Sequence, residues 1–282
     1  MANKIPKRIP YFPGCSMATT AKENNQSLNA MCQSLGYKLV ELKDWNCCGS
    51  SSAHSLNHDL AVDLASRNFS LVPKGKPMLV ACPSCLLRLR QAHHRLCQSY
   101  DARVRYEHKW GRPFDPTLEI IHYFDLLEHV GLEKHPHLRT LNGLSFVTYY
   151  GCMLAQPPDM QHYKAHRGLM EKALIALGAE EKPWGYGARC CGTFLSVVRP
   201  EVVTPLIDEI MVDAVQSKAD CIVTACSMCH LNLEMRVTSK KKIPVMHFSE
   251  LLAIALGDAG KKDWFTRHLI DPIPLLRARG IL

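Results

Sequence analysis

The sequence has no apolar run approaching the 18 residues of a membrane-spanning helix, and its first residues are basic with no hydrophobic block behind them. We therefore expect a cytoplasmic protein without a membrane span. Long Gly-, Pro- or Ser-rich stretches are also missing, and 47% hydrophobic with 21% charged residues is an ordinary soluble composition. A chain of 282 residues is then expected to fold as one large domain or two smaller ones.

Two cofactor fingerprints are absent as well. The sequence contains neither the CxxCxxCxxxCP run of ferredoxins nor a GxGxxG flavin or nucleotide motif, so such cofactors would have to lie on partner proteins. The formal charge is +8, but no basic helix with interleaved aromatic residues suggests a nucleic-acid partner. The charge instead favours small anionic molecules or acidic proteins.

Cysteine is the residue in excess. Thirteen cysteines in a chain without an export signal indicate metal binding or redox chemistry, because disulfide frameworks belong to oxidising compartments. Ten of them form two sets of five with one shared pattern. The first set is Cys15, Cys47, Cys48, Cys82 and Cys85, and the second set is Cys152, Cys190, Cys191, Cys226 and Cys229.

The two sets mark an internal duplication with an offset of about 140 residues. Flanking residues repeat too, since Leu-Gly occurs at 35–36 and again at 177–178. A His-aromatic segment follows each CxxC pair, at His122 and His247, where we expect a structural turn. Residues 98–117 are interpreted as a loop inserted in the first half. We predict two homologous modules, 1–140 and 141–282.

Strand and helix signals alternate within each module. Predicted strands at Arg8–Phe12 and Ser145–Tyr149 stop just before a glycine, and apolar residues at helical spacing follow. This alternation predicts an α/β fold of two Rossmann-like modules with parallel sheets, related by pseudo-twofold symmetry. Cysteines of both sets directly follow predicted strands, and ligands of open α/β sheets bind at that edge. Five thiols can then converge in each module.

Five converging thiolates leave three interpretations open. A tetrahedral zinc ion and a cubane iron-sulfur cluster each take four ligands, so the CxxC pairs alone suit either. The fifth thiolate and the adjacent Cys-Cys pair favour a larger iron-sulfur assembly, because neighbouring residues do not easily reach one small ion. Structural zinc and metal-free dithiol chemistry remain as alternatives.

These motifs resemble one known family. Tyr11-Phe-Pro-Gly-Cys-Ser, Asp44-Trp-Asn-Cys-Cys-Gly and the doubled Cys…Cys-Cys-Gly…Cys-x-x-Cys pattern are similar to the B subunit of heterodisulfide reductase, over nearly the whole chain. The surroundings of the Cys-Cys-Gly triplet favour this branch over relatives in glycolate oxidase, lactate utilisation or succinate dehydrogenase complexes. The resemblance extends to a bacterial branch of this family that acts in sulfur oxidation.

The resemblance implies two noncubane [4Fe-4S] clusters, one held by each set of five cysteines. It implies a disulfide bound between the clusters and reduced or formed there, in a complex with a ferredoxin-like iron-sulfur C subunit and a flavin-containing A subunit. The competing interpretation is a non-catalytic electron-transfer subunit of a flavin dehydrogenase or a quinone-linked complex. A zinc-stabilised adaptor is a third.

Three further residues are candidates for substrate binding. Arg189 precedes Cys190 and can meet an anionic disulfide, a thiol or a carrier protein. His54 and His230 lie close in sequence to the cysteines and can donate a proton to a departing thiolate. The cysteines outside the pattern are expected to pack in the core. They are Cys32, Cys97 and Cys221.

Overall fold

The computed structural model describes residues 5–50, 53–132, 135, 138–154, 166–258 and 262–282, which divide into two units. Unit 1 contains the chain up to Cys15 together with Gly36–His129. Unit 2 contains Ser16–Leu35 and the chain from Val130 onward. Each unit is built on one four-stranded parallel sheet. The predicted α/β class with two Rossmann-like modules is confirmed.

The sheet of unit 1 has the strand order β2-β1-β3-β4. Its strands are β1 (Arg8–Phe12), β2 (Lys38–Glu41), β3 (Met78–Val80) and β4 (Ile120–Ile121). The helices that begin in this unit are α1 (Gly14–Ala18), α3 (Ala53–Leu56), α4 (His58–Arg67), α5 (Pro83–Gln98), α6 (Tyr100–Trp110) and α7 (Tyr123–Val130). The central strands β1 and β3 are almost wholly buried, as expected for parallel strands covered on both faces.

The sheet of unit 2 repeats this topology with the order β6-β5-β7-β8. Its strands are β5 (Ser145–Tyr149), β6 (Glu180–Glu181), β7 (Cys221–Thr224) and β8 (Val245–His247). Its helices are α2 (Lys22–Ser34), α8 (Gly151–Leu154), α9 (Leu169–Ala176), α10 (Pro200–Gln216), α11 (Ser227–Arg236), α12 (Phe248–Ala255) and α13 (Ile273–Ala278). Among the described residues, no helix is both long and apolar enough to cross a membrane.

The segment predicted as an inserted loop, residues 98–117, contains a helix. The side chain of Ser99 accepts a hydrogen bond from the backbone N–H of Ala102 at 3.2 Å and so caps the start of α6. Gly111, with φ 64°, ends the helix in the left-handed conformation. Only Ala102 and Tyr106 are buried on α6, and this narrow apolar stripe explains why the sequence pattern does not stand out.

Helix α2 belongs to unit 2, although its sequence lies between two strands of unit 1. Its buried residues pack against α12 and against the 3-10 helix Lys262–Arg267. A hydrogen bond of 2.7 Å between the hydroxyls of Ser27 and Ser249 fixes the contact. The packing units therefore differ from a single cut near residue 140, because the core of unit 2 buries the apolar face of α2. The division into modules 1–140 and 141–282 stays a prediction about the sequence repeats.

The centre of each sheet is a topological switch point. The chain leaves β1 toward β2 on one side, and β3 lies on the other side; β5, β6 and β7 repeat this arrangement. Open α/β sheets bind ligands in the crevice at the carboxyl ends of such strands. Cys15 follows β1 and Cys82 follows β3, while Cys152 and Cys226 take the same places in unit 2. The fold thus brings cysteines to the position where it ordinarily holds a ligand.

Candidate functional site

The five cysteines of the first set lie together in unit 1. The Sγ atoms of Cys48 and Cys85 are 3.0 Å apart, and both side chains are buried. Cys47 hydrogen-bonds to Cys15 and to Cys48, and Cys82 hydrogen-bonds to Cys85. All five are free thiols. We call this group the first site.

The second set forms an equivalent group in unit 2, which we call the second site. The Sγ atoms of Cys191 and Cys229 are 3.4 Å apart. Cys190 hydrogen-bonds to Cys152, and Cys226 hydrogen-bonds to Cys229. All five are again free thiols. The structure therefore brings all ten predicted positions together as two groups of five; their role as ligands is taken up below.

A glycine before the first cysteine keeps space open in each site. Gly14 has φ +74°, and a Cβ atom placed on it would lie 3.0 Å from the Sγ of Cys85. Gly151 has φ +65°, and its Cβ would lie 3.2 Å from the Sγ of Cys229. Both the backbone conformation and the close approach of sulfur require glycine. Any larger residue would push against the thiol group.

The first cysteine of each Cys-Cys pair is the thiol that ionises most readily. Hydrogen bonds with Cys15 and Cys48 hold the pKa of Cys47 far below its usual range, and the backbone N–H of Gly49 adds to this at 3.4 Å. A hydrogen bond with Cys152 lowers the pKa of Cys190 to about 6, while Gly192 N–H lies 3.3 Å from its sulfur. Thiolates are the form of cysteine that binds metals.

Each site has a buried side and an accessible side. Cys48, Cys82 and Cys85 are buried, whereas Cys15 and Cys47 are exposed. In the second site Cys191, Cys226 and Cys229 are buried, Cys152 is half-buried and Cys190 is exposed. A group held by all five thiolates would be reachable from solvent at one edge. A fully enclosed structural metal would not need such an edge.

Side-chain amides hold the loops that carry the Cys-Cys pairs. In unit 1 the amide of Asn46 donates to the carbonyl of Leu64 at 2.8 Å, and its backbone N–H donates to Asn68 at 3.1 Å. In unit 2 the amide of Asn232, on α11, donates to the carbonyl of Cys191 at 2.7 Å. Each loop is thereby fixed to a neighbouring helix, which positions the thiols, and Asn232 also hydrogen-bonds to the side chain of Cys191.

The CxxC pairs lie across helix starts. Cys82 is the N-cap of α5 and Cys226 is the N-cap of α11. Their second cysteines, Cys85 and Cys229, lie in the first turn of the same helices. The positive end of a helix dipole stabilises negative charge within that turn. Hydrogen bonds with neighbouring cysteines and burial outweigh this effect and raise the pKa of Cys85 and of Cys229 well above the ordinary value. His122 helps to hold the first pair, since its Nε2 lies 3.0 Å from the carbonyl oxygen of Ala81.

The donor set fits an iron-sulfur group of more than four ligands better than a single ion. Five thiols converge, and the adjacent members of each Cys-Cys pair are both in contact with other cysteines of the site. A tetrahedral zinc ion binds four ligands, so one of the five thiolates would not bind it. One thiol and one aromatic ring lie next to each glycine, Cys85 and Phe12 at Gly14, and Cys229 and Tyr149 at Gly151. The donor set of both sites therefore suits iron-sulfur binding.

The substrate-binding candidates have different surroundings. Arg189 is 42% exposed, its guanidinium forms an ion pair of 2.5 Å with Glu209, and it lies over the ring of Tyr186. The ring of His230 is buried and contacts Asn24 and Glu234. The sequence had suggested a proton donor to a thiolate at this position. The side chain of His54 lies outside the described part of the chain.

One residue of the second site was missed by sequence reasoning. Tyr149, at the end of β5, is buried, and four thiols of the second site interact electrostatically with its phenol. Burial is the main cause that raises its pKa far above the ordinary value, so the phenol stays neutral and donates to the carbonyl of Arg189. The first module has Phe12 at this place. Aligning the two repeats would have shown this difference.

The other cysteines lie away from the two sites. Cys32 and Cys221 are fully buried, and desolvation raises the pKa of Cys32 to about 12. Cys97, on α5, is partly buried with its Sγ 3.8 Å from Nδ1 of His93. Cys32 and Cys221 are therefore packed in the core, as the sequence predicted, whereas Cys97 is only partly buried.

The fold and both sites define a doubled, cysteine-rich α/β protein. A family model described as a cysteine-rich domain, CCG, matches residues 9–90 and 146–234, which together are more than half of the chain. The chain belongs to this family and carries two copies of the domain, in the form found in the B subunit of heterodisulfide reductase and its relatives.

Curated relatives are similar over nearly the whole chain. A Wolinella succinogenes protein named 8-methylmenaquinol:fumarate reductase membrane anchor subunit is 27% identical, covering 95% of this chain and 99% of that protein. An Archaeoglobus profundus protein, named as similar to the B subunit of heterodisulfide reductase, is 27% identical, covering 87% and 89%. The B subunit of the ferredoxin/F(420)H(2)-dependent CoB-CoM heterodisulfide reductase of Methanosarcina acetivorans is 25% identical, covering 95% and 96%.

A solved structure supports the fold. The crystal structure of a hypothetical protein from Helicobacter pylori superimposes with a TM-score of 0.74 at 10% identity. It covers 94% of this chain, and this chain spans 52% of that protein. At this identity the likeness concerns the fold alone.

Proposed function

We propose that this protein is the catalytic iron-sulfur subunit of a heterodisulfide-reductase-like complex, which reduces or forms a disulfide at two noncubane [4Fe-4S] clusters. The observation that carries the proposal is the convergence of five free thiols in each unit, with one accessible edge. The coarser function, an iron-sulfur subunit of a reductase complex, follows from the CCG family and its heterodisulfide reductase members.

The ten cysteines of the two sites are the proposed ligands. Reducing a disulfide takes two electrons and two protons and yields two thiols, and the clusters would supply or take up those electrons. The accessible edge at Cys15 and Cys47, and at Cys152 and Cys190, is where the substrate would approach. The buried thiols would anchor each cluster from below.

The protein's other groups would position the substrate. The phenol of Tyr149 stays neutral and lies among the thiols of the second site, where it could contact a sulfur of the substrate. Arg189 would attract an anionic disulfide or a carrier protein, provided that the substrate's charge competes with Glu209 for the guanidinium. His54 remains a proposed proton donor on the basis of its sequence position. The net charge of +8 favours such anionic partners.

The proposed electron partners are a ferredoxin-like C subunit and a flavin-containing A subunit. Relatives named as subunits of CoB-CoM heterodisulfide reductases support partners of this general kind. A cytoplasmic location of the complex is part of the same proposal. The direction of turnover in the cell would depend on those partners.

A second candidate is an electron-transfer subunit of a quinone-linked reductase. The observation that favours it is the relative from Wolinella succinogenes, which is similar over 99% of its own length and is named for a methylmenaquinol:fumarate reductase. In that case the same ten cysteines would hold clusters that pass electrons on, and no disulfide would be turned over. The two proposals share their cofactors and differ in substrate.

One experiment separates them. The full chain, purified without oxygen, is analysed for iron and sulfide and is then mixed with reduced methyl viologen and a panel of anionic disulfides. We expect about eight irons per chain, viologen oxidation and the release of two thiols per disulfide. Cys85→Ser should lower both iron and activity, while Cys97→Ser, outside the sites, should change neither. Full iron content with no thiol released would refute disulfide chemistry and favour electron transfer; two zincs in place of iron would refute both.

A further inference from the structure

A second group of possible metal ligands lies in unit 2, apart from the ten cysteines. His230 and Glu234 stand one turn apart on α11, and His268 follows the 3-10 helix Lys262–Arg267. One ligand atom of each residue lies within 4.8 Å of the other two. Their side chains are 2%, 3% and 0% exposed. Three buried donors therefore surround one small volume.

The inward-facing atom of each of these residues lacks a hydrogen-bond partner. These atoms are Nε2 of His230, Oε1 of Glu234 and Nδ1 of His268. Oε1 of Glu234 is 3.8 Å from Nε2 of His230 and 3.3 Å from Nδ1 of His268. Leaving a buried polar atom unpaired costs about 1–3 kcal/mol each. The three atoms face one another at ion-pair distances, and a cation placed between them would satisfy all three.

The outward-facing atoms of the same residues are all held. Nε2 of His268 lies 2.9 Å from Oε1 of Glu250. Nδ1 of His230 lies 2.9 Å from the amide nitrogen of Asn24 and 3.2 Å from its amide oxygen, and this oxygen can accept from Nδ1–H when Nε2 binds a metal. Oε2 of Glu234 accepts a hydrogen bond from the backbone N–H of Leu269 at 2.8 Å. Metal-binding histidines ordinarily donate their second N–H to a carboxylate or an amide, which fixes the tautomer and leaves the other nitrogen free for the metal.

The distances suit a zinc ion. Ligand atoms about 2.0–2.1 Å from a tetrahedral zinc lie about 3.3–3.4 Å apart. The 3.3 Å spacing between Glu234 and His268 already matches, and the 3.8 Å spacing between Glu234 and His230 needs a small contraction. Two histidines and one glutamate form a known zinc ligand set. Two further carboxyl groups, those of Glu23 and Glu250, are buried in unit 2 with Glu234, and Glu250 pairs with His268. A divalent cation would balance these carboxylates.

We infer that His230, Glu234 and His268 bind a zinc ion in unit 2, separate from the ten-cysteine sites. The ion joins α11 to the segment after the 3-10 helix. Asn24 brings α2 to the same group, because its side-chain amide hydrogen-bonds to His230. The zinc thus fixes the C-terminal segment to α11 within unit 2. The inference does not depend on the function proposed above.

The test is zinc analysis and zinc K-edge X-ray absorption on the full chain, purified without oxygen and with its iron content measured. We expect about one zinc per chain with nitrogen and oxygen neighbours at about 2.0–2.1 Å and no sulfur at about 2.3 Å. His268→Gln and Glu234→Gln should each lose this zinc. His108→Gln, which replaces an exposed histidine on α6 of unit 1, should keep it.

The spectrum of the unmodified chain decides the question even if a variant does not fold. Absence of zinc would overturn the inference and identify the group as a network of ion pairs. Zinc with sulfur neighbours only would overturn it too, since such zinc would occupy cysteine positions. Zinc that persists unchanged in both variants would show that other residues bind it.

Discussion

Replacing Gly151 by alanine tests how tightly the second site is built around its thiols. The substitution has two separable effects. The left-handed conformation at φ +65° costs an alanine about 1–2 kcal/mol. The new Cβ would also lie 3.2 Å from the Sγ of Cys229, so the sulfur must move by a few tenths of an ångström. Metal-ligand distances tolerate only about 0.2 Å.

Gly257→Ala is the matched control within the same unit. Gly257 has φ +90°, and nothing lies within 4 Å of a Cβ placed on it. It therefore carries the conformational cost without the contact with sulfur. For a unit of this size each kcal/mol lowers the melting temperature by about 2–4 °C, so both variants should melt about 2–8 °C lower.

The assays are thermal unfolding and iron analysis on anaerobically purified chains. We expect both variants to lose a similar amount of stability, while only Gly151→Ala loses iron, by up to about half. Gly14→Ala, whose Cβ would lie 3.0 Å from the Sγ of Cys85, should do the same for the first site. Full iron content in Gly151→Ala, or equal iron loss in Gly257→Ala, would refute the reasoning that the glycine makes room for a sulfur-bound group.

Three further predictions concern the sites. Cys48→Ser should halve the iron content because each unit has its own five thiols, whereas loss of all iron would show that the two sites depend on each other. Asn232→Ala leaves the carbonyl of Cys191 unpaired, so stability should fall by about 1–3 kcal/mol with loss of iron from the second site; an unchanged melting curve would contradict this. Arg189→Gln should raise the KM for an anionic disulfide and Glu209→Gln should lower it, both with iron unchanged. Equal KM values in the two variants would exclude Arg189 from substrate binding.

The central strands and the cysteine groups could be predicted from the sequence because their signals are local. β1 and β5 are short apolar runs that end before a glycine, and the structure has them at the predicted residues. The CxxC pairs follow β3 and β7 directly. Once the strands are parallel, their carboxyl ends meet at one edge, and the thiols must meet there too.

Features that depend on distant partners could not be predicted in this way. The sequence of α2 would show the same apolar pattern in the core of either unit. Its packing in unit 2 could therefore not be predicted from the local sequence. The zinc ligands His230 and Glu234 show helical spacing, but His268 is far away in sequence and becomes a neighbour only through the fold. His230 was considered a proton donor because it follows Cys229 in the sequence. Successive residues of a helix point in different directions, so nearness in sequence does not place the ring beside the thiol.

The assignment of α2 to unit 2 also sets an order of events during synthesis. This helix leaves the ribosome long before α12, against which it packs, and at about 5–20 residues per second the interval is roughly 10–40 s. During that time its apolar face is available to chaperones, and the hydrophobic core of unit 2 is incomplete. A gene fragment that encodes only 141–282 would produce a chain lacking one of its own core helices. The core of unit 2 therefore draws on residues from both sequence repeats.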